Sequence, residues 1–202
     1  VKRSIRSSPA LSAAAAAILL LAVWLGFPGP ADAQQAMPPR PGAPMPWSQQ
    51  VANFLPLFGE GNWIVVSETA FPLLAKNGIE TVPVREGLAE AVNQIVGLLQ
   101  SNNRLRGVYH LPSELDIVAE AGGEAEAYAG ALRQILPATA IVKWPEAEIL
   151  TLLAGGPEVE RVLVIKTDSE IPYGTVAIQL KRGYWSDEQE AELRETLKRA
   201  GG

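Results

Sequence analysis

Residues Trp63–Ser67 read WIVVS, an unbroken apolar and β-branched run with a carboxylate on each flank. Glu60 lies between Gly59 and Gly61, and Glu68 precedes Thr69-Ala70-Phe71-Pro72. A run that is apolar at every position, rather than at alternate ones, marks a strand covered on both faces. Such a strand needs packed layers above and below it, which restricts the chain to a layered sheet architecture. It has no structural need of a carboxylate at either end, so Glu60 and Glu68 become candidate functional residues.

The remaining patterning alternates helix and strand. A short helix is expected behind a Ser48 cap, with Val51, Phe54, Leu55 and Phe58 inward and Gly59 as its stop. Ile79–Val84 reads as a second strand, which Pro83 demotes towards an edge. Leu88, Ala91, Val92, Ile95, Val96 and Leu99 recur at helical spacing. RGVYHL (106–111) is a third strand. Gly123–Leu136 is a helix expected to turn Ala127, Ala131, Leu132 and Ile135 inward. TAIVKW (139–144) is a strand, and Glu146–Ala154 a helix stopped by Gly155-Gly156. RVLVIKT (161–167) and GTVAIQLKRG (174–183) are two further strands, joined too tightly for a crossover helix. That predicts an antiparallel pair and a mixed sheet. Ser186 and Gln189 form a capping box that opens a last helix, with Leu193, Leu197 and Ala200 on one face. This alternation places the chain in the α/β class.

The N-terminal part is expected to stand outside the fold. Lys2, Arg3 and Arg6 precede the apolar stretch Ala10–Leu25, and ADAQ offers a cleavage point after Ala33. This is the pattern of a secretory signal peptide over residues 1–33. It predicts a periplasmic or secreted protein with no membrane attachment after cleavage. Gln34–Pro46 carries five prolines and reads as an extended linker. The folded domain is expected over 47–185 and the additional helix over 186–202. Loss of Lys2, Arg3, Arg6 and Asp32 with the leader leaves 14 basic against 21 acidic residues, a balance that argues against a nucleic-acid partner. With no cysteine and one histidine, His110, thiol nucleophiles, disulfides and histidine-rich metal sites are excluded. GEGNW (59–63) has neither the glycine spacing nor the lysine of a phosphate loop. His110, Trp144 and Trp185 lie at strand ends, where a histidine could act in catalysis and an aromatic could floor a sugar site.

Two stretches carry a resemblance. The first is Gly59-Glu60-Gly61-Asn62, then the strand Trp63–Ser67, then Glu68-Thr69-Ala70-Phe71-Pro72. The second is Tyr173-Gly174-Thr175 opening the last strand, which ends at Lys181-Arg182-Gly183. In order and spacing the chain resembles the RbsD/FucU family of D-ribose pyranases and L-fucose mutarotases over roughly Trp47 to Gly183. The resemblance implies a three-layer α/β/α domain with a mixed, mainly parallel sheet, extended here by the C-terminal helix. It also implies an isomerase that interconverts anomers or ring forms of a pentose or deoxyhexose without a cofactor or metal, in a homo-oligomeric ring, often a decamer. Carried over position by position, Glu60 stands where the family has its acid/base histidine, and Glu68 where it has a sugar-binding aspartate. Thr175 replaces a sugar-binding asparagine, and Tyr173 is identical. A further basic or histidine position falls within Lys143–Glu146. These replacements leave open a second reading, a catalytically inactive sugar-binding or ring-forming module of the same fold. Five strand residues between Glu60 and Glu68 also keep the two carboxylates far apart, unless the loop curls back or two subunits share the site.

Overall fold

The computed structural model describes residues 45–200, so the expected signal peptide and nearly all of the linker lie outside the described residues. Helix α1 (Trp47–Phe54) and a 3-10 turn (Leu55–Leu57) lead into β1 (Asn62–Ser67). There follow β2 (Ile79–Pro83), α2 (Leu88–Gln100), β3 (Leu105–Pro112), α3 (Glu114–Glu120), α4 (Gly123–Ile135), β4 (Ile141–Trp144), α5 (Glu146–Gly155), β5 (Arg161–Lys166), β6 (Val176–Arg182) and α6 (Asp187–Ala200).

The six strands form one sheet in the order β2-β5-β1-β6-β3-β4. β1 pairs parallel with β5, β5 with β2, and β3 with β4, whereas β6 runs antiparallel to both of its neighbours, β1 and β3. The mixed sheet is as expected, but β5 and β6 are not hydrogen-bonded to each other. β1, buried on both faces, lies between them, and the short connection spans it.

β1 alternates strictly. Ile64 and Val66 face a large core under α1–α4, with Val51, Ile95, Leu115, Tyr128 and Leu132. Trp63 and Val65 face a smaller core under α5, with Ile149 and Leu153. This gives helices on both sides of the sheet, and β1 is apolar from Trp63 to Val66 because each of its faces closes one of the two cores.

Several local readings are corrected. α1 starts at Trp47 behind Pro46, so Ser48 lies inside it rather than capping it. In α4 the buried positions are Ala125, Tyr128, Ala129 and Leu132, while Ala127 is exposed and Ala131 only half-buried. The seven-residue α3 had no counterpart in the sequence reading. The capping box forms as expected: the Ser186 N–H donates to Gln189 Oε1 at 2.9 Å, and the Gln189 N–H donates to Ser186 Oγ at 3.2 Å. The helix it opens buries no residue, and Leu193 and Leu197 are exposed. Among the described residues no helix is long and apolar enough to cross a membrane.

Candidate functional site

β1, β3, β4 and β5 all point their carboxyl ends to the same edge of the sheet, and a carboxylate lies within two residues of the end of each, Asp168 being the one after β5. Glu68 follows β1, Glu114 opens α3 after β3, and Glu146 opens α5 after β4. The antiparallel register of β6 pairs Val176 with Val66, which brings Thr175 beside Glu68. The Thr175 hydroxyl donates to Glu68 Oε2 at 2.5 Å. Both side chains are buried, Glu68 at 6% exposure. A carboxylate so far from water needs a donor of this kind.

The turn before β6 carries Tyr173. The Gly174 N–H donates to the Ile171 carbonyl at 3.1 Å, with Pro172 and Tyr173 at the two central positions. Tyr173 has φ +57°, and among the described residues it is the only non-glycine with positive φ. A type II turn ordinarily places glycine or asparagine there. The turn is fixed from beneath: a Cβ on Gly174 would come within 2.5 Å of Leu88 Cδ1, and the Tyr128 hydroxyl donates to the Gly174 carbonyl at 2.7 Å. Burial, reinforced by the charge of Glu68, pushes the Tyr128 phenol far up, so it stays protonated as a donor. The half-exposed ring of Tyr173 is thereby held at the rim of a cleft of about 460 Å³, whose lining includes Glu68, Thr69, Glu146, Glu170 and Pro172.

Glu146 is held at the start of α5 by its backbone, whose N–H donates to both Glu114 carboxylate oxygens at 3.2 and 3.1 Å. Burial first, then the charges of Glu68 and Glu114, raise the pKa of its carboxyl. Glu146 closes the stretch Lys143–Glu146, in which the sequence singled out no one residue. Lys143 Nζ pairs with Asp116 Oδ1 at 3.0 Å in a separate groove beside Arg133, and only Glu146 of that stretch faces the cleft. The sequence reading had no means to separate them. The discriminating signal is strand parity, which needs the end of β4 to be known.

Glu60 is elsewhere. It precedes β1, at the opposite edge of the sheet, and pairs with Lys181 at 3.7 Å and Arg182 at 3.0 Å. The six residues of β1 separate it from Glu68, a rise of about 20 Å. The loop does not curl back, so within one chain the two glutamates do not share a site. Glu60 borders a second cleft of about 340 Å³ with Arg106, Trp185 and Asp187.

His110 and the two tryptophans are likewise outside the Glu68 cleft. The His110 ring lies between Trp63 and Trp144, with centroids 5.0 and 4.6 Å away. Neither of its nitrogens has a hydrogen-bond partner among the described residues, and burial pushes its pKa down. Trp185 Nε1 donates to Glu190 Oε2 at 2.9 Å.

No family model and no curated protein sequence matches this chain. Solved structures do. Bacillus subtilis RbsD, complexed with D-ribose, matches at 13% identity and TM-score 0.47, over 65% of this chain and 91% of that one. A Streptococcus pneumoniae fucose mutarotase complexed with L-fucose matches at the same identity, coverage and TM-score. FucU from Bifidobacterium longum matches at 16% identity and TM-score 0.46, over 68% of this chain and 98% of that one. These are likenesses in the course of the backbone.

Proposed function

We propose that this protein binds a free monosaccharide in the Glu68 cleft and interconverts its anomers or ring forms, as a mutarotase or pyranase. The observation that supports this best is convergence. Glu68 and Tyr173, singled out from two separate motifs, both border one cleft, and Thr175, 107 positions from Glu68, lies behind it with its hydroxyl on Glu68 Oε2. The chemistry of the cleft suits a sugar. A buried carboxylate accepts hydroxyl protons, a tyrosine ring offers an apolar face with a polar tip, and the volume admits a small polyol. Ring opening and closure need only proton transfer, so the reading calls for no cofactor.

In this reading Glu68 holds sugar hydroxyls, Thr175 fixes the Glu68 carboxylate from behind, and Tyr173 closes over the ring. Pentoses or deoxyhexoses are the expected class. Saturation-transfer NMR on the chain from Gln34 onward, with ribose, fucose and galactose, tests both halves of the proposal. The expected result is binding together with anomer exchange above the spontaneous rate. Binding without exchange would identify an inactive sugar-binding module, and absence of binding would dismiss the reading.

A further inference from the structure

Resting on that reading of the cleft, we propose that its proton-transferring residue is Glu146. Four carboxyl side chains are candidates, and their surroundings separate them. Glu60 lies at the far edge of the sheet in two ion pairs. Glu68 has an oxygen engaged by Thr175. Glu170 borders the cleft but its side chain is exposed to solvent. Glu146 borders the cleft, is partly withdrawn from water, and makes no side-chain hydrogen bond or ion pair among the described residues. Its backbone, not its side chain, is what Glu114 holds. The residue is therefore anchored through its backbone while its carboxyl stays free to react.

A protonated carboxyl can carry out mutarotation alone. Its O–H gives a proton to the ring oxygen as the bond from that oxygen to the anomeric carbon breaks. Its other oxygen takes the proton of the anomeric hydroxyl as the carbonyl forms. The carboxyl ends as it began, neutral, with the proton on the opposite oxygen. Rotation of the open aldehyde and the reverse transfer complete the exchange, with no co-reactant. The ring oxygen and the anomeric hydroxyl share one carbon, so they present a donor and an acceptor side by side, as a carboxyl does. The groups facing Glu146 favour its protonated form. Glu68 after β1 and Glu114 on α3 carry negative charge towards it, Glu170 and Tyr173 come from the β5–β6 connection, and Lys143, three residues before it, pairs with Asp116 instead.

The consequence is a rate that falls as pH rises through the Glu146 pKa, the reverse of what a group acting as a free base would give. Exchange spectroscopy on the anomers of ribose and fucose, with wild type, Glu146→Gln, Glu146→Asp and Glu60→Gln, tests it. Glu146→Gln is expected to lower exchange at least about 100-fold, the usual size of a lost acid/base group. Sugar-induced shifts in the protein spectrum should persist in that variant, since Gln keeps the backbone contact with Glu114. Glu146→Asp should retain part of the rate with the same sense of pH dependence. Exchange that survives in Glu146→Gln, or a wild-type rate that rises with pH, would overturn the assignment. Loss of exchange in Glu60→Gln alone would return the role to Glu60. Wild-type protein that binds sugar without exchanging it removes this assignment but keeps the binding reading. Protein that binds none removes both.

Discussion

Tyr173 stands in a backbone conformation that costs an L-residue about 1–2 kcal/mol, and such cost concentrates where function requires a side chain to point a particular way. Tyr173→Asn should therefore raise thermal stability by up to about 1 kcal/mol, while weakening sugar binding. A melt paired with a titration reads both effects. His110 makes a second residue-level prediction. Burial lowers its pKa, so the folded chain holds it neutral, while the unfolded chain takes up a proton below about pH 6.5. The unfolded state then binds more protons, and the contribution of His110 to stability, complete above that pH, is lost on acidification towards the lowered folded value. Glu146 acts in the opposite sense. Its raised folded pKa means that stability is gained as pH falls through that value. Urea denaturation between about pH 8 and pH 5 should show a smaller pH-dependent loss for His110→Phe than for wild type. At this scale the nearness of Glu68, Tyr173 and Thr175 could be anticipated, because each sits in a short motif with fixed spacing to a strand. That of Glu146 could not, because nothing in Lys143–Glu146 says which residue faces which side until β4 is placed.

At the scale of elements, the capping box and the α2 stripe could be read directly, since both are local and rich in large apolar or capping residues. The face of α4 could not. Its alanines carry little weight in a periodicity, and the residue that anchors it, Tyr128, does so through a hydrogen bond to the distant Gly174. α3 is too short for a helical period to show. The β5–β6 neighbourhood was misread because a short connection normally joins adjacent strands, and here it passes over the end of β1. The turn before β6 is packed so closely that Gly174→Ala should cost about 1–3 kcal/mol by overpacking and disorder Tyr173, detectable as a lower melting temperature and loss of the sugar-induced shifts. α6 should behave quite differently. It attaches through Arg106–Asp187 at 2.7 Å and the Trp185–Glu190 hydrogen bond, and exposed ion pairs contribute at most about 1 kcal/mol. Ending the chain after Trp185 should leave the circular dichroism of the remaining fold and its unfolding transition nearly unchanged.

For the whole molecule, the family resemblance implies a ring, and light scattering of the chain from Gln34 onward should then give a mass well above that of a dimer. A monomer would confine the site to one chain and leave Glu60 no route to the Glu68 cleft. The arrangement of the sheet has a further consequence for how the protein is made. β6 is the last strand in sequence but occupies the middle of the sheet, and it alone hydrogen-bonds β1 to β3. During synthesis the strands that precede it can form only two separate ladders, β2-β5-β1 and β3-β4, until residues 176–182 emerge. Pairings this distant along the chain form slowly, because the intervening loop must first be ordered. The nascent chain therefore carries an open seam between β1 and β3 until β6 closes it.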